Sequence, residues 1–511
     1  MLARIVFFGL LTVSGLRCNA SERPNIVFLL TDDQRADTLS SEMIQTPNLD
    51  RLASKGVLFE NAFVTNPICQ PSRTSYFISQ YEREHGIGFT SKNTLSREQW
   101  QQSYSSVLRE SGYFTGFIGK FGLLRYKFDA KEEFDFWRAH DGWASFWAKG
   151  NGRDQKPYNL AEADIITPIM SEFTAAFLKA RDKSKPFCLS VSYSAPHGSI
   201  SSSMHKEKDG KGRDRMKYAA NDYGPLQGHP VYDTLYRNSA WELPATYTTE
   251  YSEYLPTEVH DPRKGRLQTY SYNFEKSTCL EHMVRYAQLV HGIDESVGKL
   301  LELLETEGLA ENTIIVFSSD HGLFLGDYGI GGKALLYDLA TRVPLIVYDP
   351  RLDNSKQGLR IKRSVTNLDI APTLLSLAGV TSPSSYAGRD LRALVDARDP
   401  ATVEWDDKVF MESLWTGRDG PYCEALRTPK WKYIRFYRHQ LEERLPARYK
   451  EVVDFDGIEP IYEQLFDLES DSGETLNLAD ALDHADVLEK LRLECRRLSN
   501  DLVAKSKQGR E

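Results

Sequence analysis

Short, continuous apolar runs, each followed at once by polar residues, constrain the fold of this chain more than any other feature. The clearest runs cover residues 26–30, 117–118, 187–193, 314–317 and 345–348. Amphipathic patterns lie between several of them, most clearly over residues 283–304, where apolar side chains recur every three or four positions as in a helix. Continuously apolar strands that alternate with such helices predict an α/β fold with a mostly parallel central sheet between helices.

Residues that can carry chemistry stand directly after four of these predicted strands. They are Asp32, Asp33, Lys120, His197, Asp320 and His321. In open α/β sheets, ligands bind beyond the carboxyl ends of the strands. A single Asp-Asp pair is typical of a turn or a helix cap, but four polar strand ends in one chain predict a functional site at this edge of the sheet.

The acidic residues of this set suit a hard divalent cation. Asp32 and Asp33 can both reach one ion from the same strand end, and Asp320 with His321 repeats the arrangement on another strand. Ligation dominated by oxygen favours Ca²⁺ or Mg²⁺ over a structural zinc ion. The sequence therefore predicts a metal site built from two strand ends.

A cationic set predicts a site for a tetrahedral oxyanion. Its members are Arg73, Lys120, His197 and Lys333. An arginine can bind two oxygens at once, whereas a lysine acts as a point charge. Cys69 precedes Arg73 by four residues, and Pro71 between them indicates the first turn of a helix. A thiolate there would be reactive, but a thiol is a poor ligand for a hard cation, so an oxygen function at this position would fit better.

The first twenty residues have the features of a secretory signal peptide. Arg4 precedes an apolar stretch over residues 5–16, and residues 18–20 resemble a cleavage site. The stretch is too short to span a bilayer, so we expect a cleaved signal over residues 1–20, a secreted or periplasmic protein and no membrane span.

The formal net charge of −9 argues against non-specific nucleic-acid binding. Five scattered cysteines remain after cleavage, so at least one is unpaired.

The pattern of the chain predicts two parts. We expect a catalytic domain over residues 21–385, with an irregular, tyrosine-rich insertion over 199–280 that sets substrate specificity, and a smaller C-terminal subdomain over 386–511 made of an antiparallel sheet and a helix. An aromatic and basic cluster precedes the insertion, at Trp137, Arg138, His140, Trp143 and Trp147. These side chains either stack on a bound ligand or pack the insertion onto the core, and both interpretations stay open.

Residues 69–73 (CQPSR) match the Cys-x-Pro-Ser-Arg signature of type I sulfatases, in which the cysteine is converted to formylglycine. The resemblance runs from about residue 23 to residue 502 and includes RPNIVFLLTDDQ, GYFTGFIGK, SYSAPH, IIVFSSDHG and GGKALLYDLATRVPLIV. It implies the alkaline-phosphatase-like α/β fold with a C-terminal antiparallel sheet and helix. It also implies that the chain is a sulfuric ester hydrolase.

The family's site residues carry over onto matching positions of this sequence. The implied ligands of one calcium ion are Asp32, Asp33, Asp320, His321 and the oxygen of modified Cys69. The residues implied to hold formylglycine (3-oxoalanine) and sulfate are Arg73, Lys120, His197 and Lys333. In the implied reaction, one hydroxyl of the hydrated aldehyde attacks sulfur, the alcohol leaves with help from His197 or Lys333, and the second hydroxyl expels sulfate. The implied partners are a sulfated carbohydrate, either an algal polysaccharide or a glycosaminoglycan oligosaccharide, and a formylglycine-generating or sulfatase-maturating enzyme.

One position departs from the family. Many sulfatases read Gly-Lys-x-His after the second strand, whereas this chain reads GKFG and has Gly122 at the place of the histidine. Either His140 or a water takes that role, or the elimination step is slower. Two other functions stay open: a formylglycine-dependent phosphodiester or phosphonate monoester hydrolase, and a catalytically impaired glycan-binding homologue.

Overall fold

The computed structural model describes residues 23–39, 41–91, 93–123, 126–140, 166–197, 206–208, 214–216, 235–249, 254–255, 276–415, 422–437 and 452–508. The predicted signal peptide, most of the predicted insertion, Trp143 and Trp147 lie outside the described residues. Among the described helices, none has both the length and the apolar character needed to cross a membrane.

The strands and helices follow one another in an alternating α/β order. The strands are β1 (Asn25–Asp32), β2 (Val57–Phe63), β3 (Phe114–Lys120), β4 (Phe136–His140), β5 (Phe187–Pro196), β6 (Lys206–Lys208), β7 (Asp214–Met216), β8 (Thr313–Ser319), β9 (Phe324–Leu325), β10 (Gly331–Gly332), β11 (Arg342–Val343), β12 (Leu345–Tyr348), β13 (Leu359–Thr366), β14 (Val409–Ser413), β15 (Tyr422–Arg427), β16 (Trp431–Tyr437) and β17 (Tyr462–Asp467). The α-helices are α1 (Pro47–Lys55), α2 (Cys69–Ile78), α3 (Glu82–His85), α4 (Arg97–Gln101), α5 (Tyr104–Glu110), α6 (Ile166–Ala180), α7 (Lys276–Thr306), α8 (Asp338–Thr341), α9 (Ile370–Leu377), α10 (Arg392–Val395) and α11 (Ala485–Gln508). Helix α7 contains the periodic stretch over residues 283–304, and it begins within the stretch predicted as the insertion.

A large mixed sheet forms the centre of the molecule. In the described part of the chain it has nine strands in the order β11-β2-β12-β8-β1-β5-β3-β4, with β13 paired to β2. Strands β8, β1, β5, β3 and β4 run parallel to one another, and β12 is antiparallel to both β8 and β2. The predicted fold class, an α/β protein with a mostly parallel sheet, is confirmed.

Both faces of this sheet are buried, which explains the continuous apolar runs. Along β1, Ile26 and Phe28 belong to one hydrophobic core, and Val27 and Leu29 to the other. Successive side chains of a strand point to opposite faces, so each face needs its own cover. Helices α2, α5 and α9 contribute to the first core, and α1, α6 and α7 to the second.

A second, antiparallel sheet has the order β14-β15-β16-β17, and side chains of helix α11 share a core with it. The predicted C-terminal sheet and helix are therefore confirmed. A buried ion-pair network ties this sheet to α3, because the Arg83 guanidinium donates to the carboxylates of Glu412 and Glu424. The backbone N–H of Glu412 also donates to the Thr65 carbonyl, at 2.9 Å, in the segment that leads into α2.

Candidate active site

The carboxyl ends of the parallel strands bring the predicted site residues together. Asp32 ends β1, at the centre of the sheet, Lys120 ends the nearby β3, and His197 directly follows β5. Cys69 is the first residue of α2, and Lys333 directly follows β10. One connected set of contacts joins all the residues predicted for the site: Asp32, Asp33, Cys69, Arg73, Lys120, His197, Asp320, His321 and Lys333.

Cys69 lies among polar groups although it is buried. Its Sγ is 3.5 Å from Oδ1 of Asp32 and 3.2 Å from both Nε2 of His321 and Nζ of Lys333. Burial, and next the negative charge of Asp32, raises the pKa of the Cys69 thiol. The thiol form is therefore favoured, and a thiolate nucleophile does not fit this environment.

Arg73 joins the ends of several strands through its fully buried guanidinium. Its Nε donates to Oδ2 of Asp320 at 2.8 Å, and its Nη2 to Oδ2 of Asp32 at 3.2 Å. Its Nη1 donates to the Ser192 hydroxyl and, at 3.0 Å, to the Lys120 carbonyl. All three nitrogens donate to protein groups, so Arg73 holds the carboxylates of Asp32 and Asp320 in place. Its contact with the oxyanion stays a prediction from the sequence.

The two adjacent aspartates differ in the protonation that their surroundings favour. Burial alone would raise the pKa of Asp32, but Lys120 and then the other nearby cations hold it well below its usual value. For Asp33 burial outweighs Lys333 and raises the pKa to about 7. One oxygen of this carboxyl, Oδ2, is buried and accepts no hydrogen bond from the described residues. A buried carboxylate oxygen is costly unless it is compensated, and a cation would compensate it.

The donor set around Asp33 fits a divalent cation. Ligand atoms of Asp32, Cys69, Asp320 and His321 lie within 4.8 Å of one another, and atoms of Asp32, Asp33 and His197 form a second, overlapping group. Burial lowers the pKa of His321, so the neutral imidazole that a metal requires is favoured. Sulfur is the one soft donor in the set, and an oxygen in its place would complete a set suited to calcium.

Gly122 and His140 flank the site, just after β3 and at the end of β4. Gly122 has a φ of +74°, and a Cβ atom at this position would lie 2.5 Å from Cδ of Arg73. His140 is paired in register with Lys120 across the two parallel strands, and its Nε2 is 3.5 Å from the hydroxyl oxygen of Ser194. His140 therefore lies at the same edge of the sheet as the site, consistent with the first alternative for the missing histidine.

The described part of the predicted aromatic cluster belongs mainly to the core. The Trp137 ring stacks on Phe117 with centroids 5.7 Å apart and meets Phe121 edge-on, at 5.2 Å. Arg138 is exposed and lies over the Phe136 ring. Of the two interpretations, packing therefore holds for Trp137.

Among the described residues, Ser192 and Tyr286 contribute to the site although the sequence did not single them out. Ser192 is one of three serines that alternate with apolar residues along β5, so the sequence does not separate it from Ser190 or Ser194. Tyr286 donates to the Asp33 carbonyl from helix α7. The apolar periodicity of that helix assigns Tyr286 to the core, and nothing in the sequence separates its hydroxyl from those of other buried tyrosines.

Comparison with known families gives two matches. The family model "Sulfatase" matches residues 24–380, and the model "N-sulphoglucosamine sulphohydrolase, C-terminal" matches residues 326–458.

An N-acetylglucosamine-6-O-sulfatase of Bacteroides thetaiotaomicron is 29% identical over 460 residues, which cover 82% of this chain and 79% of the relative. An ulvan-active sulfatase of Formosa agariphila is 28% identical over 432 residues, covering 81% of this chain and 73% of the relative.

Solved structures share the fold at lower identity. A protein in complex with its substrate D-glucosamine-2-N,6-O-disulfate superposes with a TM-score of 0.70 and 22% identity, covering 94% of this chain and 98% of that protein. A phosphonate monoester hydrolase from Silicibacter pomeroyi superposes with a TM-score of 0.67 and 20% identity, covering 93% of this chain and 95% of the hydrolase. The same fold thus supports reactions at two kinds of tetrahedral centre.

Proposed function

The chain belongs to the sulfatase family and is a sulfuric ester hydrolase, and we propose that it removes sulfate from a sulfated carbohydrate with a formylglycine made from Cys69 beside a bound calcium ion. The observation that carries this proposal is the setting of Cys69. Its side chain lies between a lysine, a histidine and a carboxylate, where an oxygen function makes better contacts than a thiol.

The relatives support a carbohydrate substrate. Their names specify N-acetylglucosamine-6-O-sulfate chemistry and ulvan, and one protein of the same fold is bound to a disulfated glucosamine. A glycosaminoglycan-type 6-O-sulfated glucosamine and an algal oligosaccharide are therefore the two substrates to test first. Both present a sulfate ester on a polyhydroxylated ring, which needs cations for the sulfate and hydrogen-bonding groups for the sugar.

The residues proposed to hold calcium are Asp32, Asp33, Asp320 and His321, with the oxygen of modified position 69. When bound, the ion would supply electrostatic stabilisation of negative charge at the reacting oxygens, and formylglycine would supply, as its hydrate, an oxygen nucleophile. The buried Oδ2 of Asp33, which accepts no hydrogen bond from the described residues, supports the presence of the cation.

The cations of the site are proposed to bind and orient the ester. Lys333 Nζ contacts Asp33 Oδ1 at 2.6 Å and Cys69 Sγ at 3.2 Å, so its ammonium lies directly beside the reacting position. His197 Nε2 is 3.9 Å from the other oxygen of Asp33. We assign Lys333, His197 and Lys120, which pairs with Asp32, to sulfate binding. We assign proton transfer to the leaving alcohol to Lys333, because burial and the charge of Lys333 lower the pKa of His197 and favour its neutral form.

Sulfate release from defined substrates tests the proposal. The protein should be produced in a host that contains a formylglycine-generating enzyme and assayed on 6-O-sulfated N-acetylglucosamine, ulvan oligosaccharides, nitrophenyl sulfate and a nitrophenyl phosphonate ester. We expect the highest kcat/KM on a sulfated sugar. Faster turnover of the phosphonate than of every sulfate would instead make the chain a phosphonate hydrolase. Sugar binding without turnover would make it a glycan-binding homologue.

A further inference from the structure

The turn after β1 places a residue other than glycine in the left-handed region. Asp33 has a φ of 70°, in the left-handed region that residues other than glycine enter infrequently. Such a conformation persists only where the surroundings hold it in place. Because Asp33 is a proposed metal ligand, whatever holds this turn also determines where its carboxylate points.

Side chains from two other elements bind the backbone of this turn. The Asp33 N–H donates to Oδ1 of Asp320 at 3.3 Å, and the Gln34 N–H donates to the Ser319 hydroxyl at 2.9 Å, both at the end of β8. The next N–H, that of Arg35, donates to Oη of Tyr286 at 2.8 Å. The same Tyr286 hydroxyl donates to the Asp33 carbonyl at 2.7 Å.

Tyr286 is itself firmly placed. It is 1% exposed and packs in a hydrophobic cluster with Val290, Leu323 and Leu325. It belongs to the 31-residue helix α7, which packs against the central sheet. Its single hydroxyl therefore bridges the carbonyl of residue 33 and the N–H of residue 35 from a rigid element, and both backbone groups would lose this partner without it.

We propose that Tyr286 is a positioning residue of the metal site, which holds the turn at residues 33–35 so that the Asp33 carboxylate faces the cation before the ion binds. The inference rests on the calcium site of the proposed function. Oδ1 of Asp33 is already engaged by Lys333 and His321, and Oδ2 is the oxygen left to the ion. Loss of the hydroxyl releases the turn, and the ion must then order it on binding, which weakens the affinity.

Tyr286→Phe removes only the bridging hydroxyl, and Tyr193→Phe is its matched control. Tyr193 is also buried, and its hydroxyl contacts Ser296 on the same helix α7, at 3.1 Å, outside the turn. Calcium chloride is titrated by calorimetry into chelator-treated wild type, Tyr286→Phe and Tyr193→Phe. We expect Tyr286→Phe to bind Ca²⁺ about 10- to 100-fold more weakly than wild type, the range typical of groups that orient metal ligands. The control should stay within about twofold of wild type, since the Tyr193 hydroxyl contacts Ser296 and not the backbone of the turn.

The outcomes separate this inference from the proposed function. If wild type binds no calcium, the proposed metal site is wrong; if wild type binds it and Tyr286→Phe binds equally well, only the role of Tyr286 is wrong. Equal weakening in both variants would show a general loss of stability and would also overturn the inference. Hydrogen exchange of calcium-free wild type tests the same inference without a mutation. If Tyr286 holds the turn before calcium binds, the Arg35 amide is protected from exchange in the calcium-free protein. An Arg35 amide that becomes protected only after calcium is added would contradict the inference.

Discussion

Gly122 and Arg73 occupy adjoining space so closely that a Cβ on the glycine would lie 2.5 Å from Cδ of the arginine. The arginine cannot easily move, because its guanidinium is buried and donates to Asp32, Asp320 and Ser192. The site of this chain is therefore built around a glycine where many sulfatases have a histidine. A histidine at position 122 should therefore displace Arg73 and lower the activity of this site.

We predict that Gly122→Ala and Gly122→His each lower kcat by about 100-fold, since displacement of site groups by about 1 Å has effects of this size. The control is Gly308→Ala, because Gly308 has a φ of +67° and a Cβ added there would meet no described atom within 4 Å beyond its own chain neighbours. That variant has the same backbone penalty without the contact, so it should lose stability but keep kcat. Higher activity of Gly122→His than of wild type would contradict the prediction.

Arg73→Lys should destabilise the protein as well as inactivate it. A lysine keeps the charge but cannot bind Asp32 and Asp320 together, and breaking a buried ion pair typically costs about 3–5 kcal/mol. Urea unfolding would measure the loss. Arg51→Lys, at the half-exposed pair with Glu305, should change the free energy of unfolding by less than about 1 kcal/mol. Similar losses in both variants would argue against a special role for Arg73.

Removal of calcium should lower the melting temperature of wild type. A ligand at 100 times its Kd stabilises the folded state by about 2.7 kcal/mol, and Asp33→Asn and Asp320→Asn should abolish this calcium-dependent gain. Asp349→Asn should keep it, because Asp349 follows β12 at the opposite end of the sheet and binds Arg351. A chelator that leaves the wild-type melting temperature unchanged would contradict the metal assignment.

Glu412 and Glu424, the two buried glutamates that bind Arg83 of α3, should contribute to the free energy of unfolding with opposite pH dependences. Burial, opposed by Arg83, raises the pKa of Glu412 from 4.5 to about 7. Its folded-state pKa lies above its unfolded value, so its contribution to stability is fully present below about pH 4.5 and is lost as the pH rises to about 7. For Glu424, Arg83 and Arg435 outweigh burial and lower the pKa, so its contribution is lost as the pH falls through the range below 4.5.

Urea unfolding of Glu412→Gln and Glu424→Gln over a pH series would isolate these contributions. The difference in unfolding free energy between wild type and Glu412→Gln should shrink between about pH 4.5 and 7. The difference for Glu424→Gln should instead shrink toward lower pH. Parallel curves for the two variants would mean that their carboxyls do not differ in protonation.

The central strands could be predicted because burial on both faces leaves a readable sequence pattern. Strand β1 is apolar from Ile26 to Leu30 for this reason. Strand β2 was not predicted, since Glu60 and Asn61 interrupt its apolar run where the strand is only partly buried. Strand β14 was also missed. Its Glu412 is buried and paired with Arg83, and one charged residue lowers the mean hydropathy of a short strand so far that the strand is not recognised.

The sequence predicts where in the fold the site residues lie, but it does not predict which of them bind one another. The order of strands in a parallel sheet brings their carboxyl ends together, so Asp32, Lys120 and Asp320 were expected to be neighbours. The bonds of Arg73 to Ser192 and of Tyr286 to Asp33 join residues 119 and 253 positions apart. Such pairings depend on how helices dock on the sheet, which a single sequence does not encode in any local pattern.

The chemical identity of the side chain at position 69 bears most directly on the proposed mechanism. Peptide mass spectrometry should be applied to active protein from a converting host, alongside Cys69→Ala from the same host. We predict an aldehyde in place of the thiol, sulfatase activity that rises in proportion to the converted fraction, and no turnover in Cys69→Ala. Full activity in protein that carries only the unmodified thiol, or unchanged turnover in Cys69→Ala, would contradict a formylglycine nucleophile.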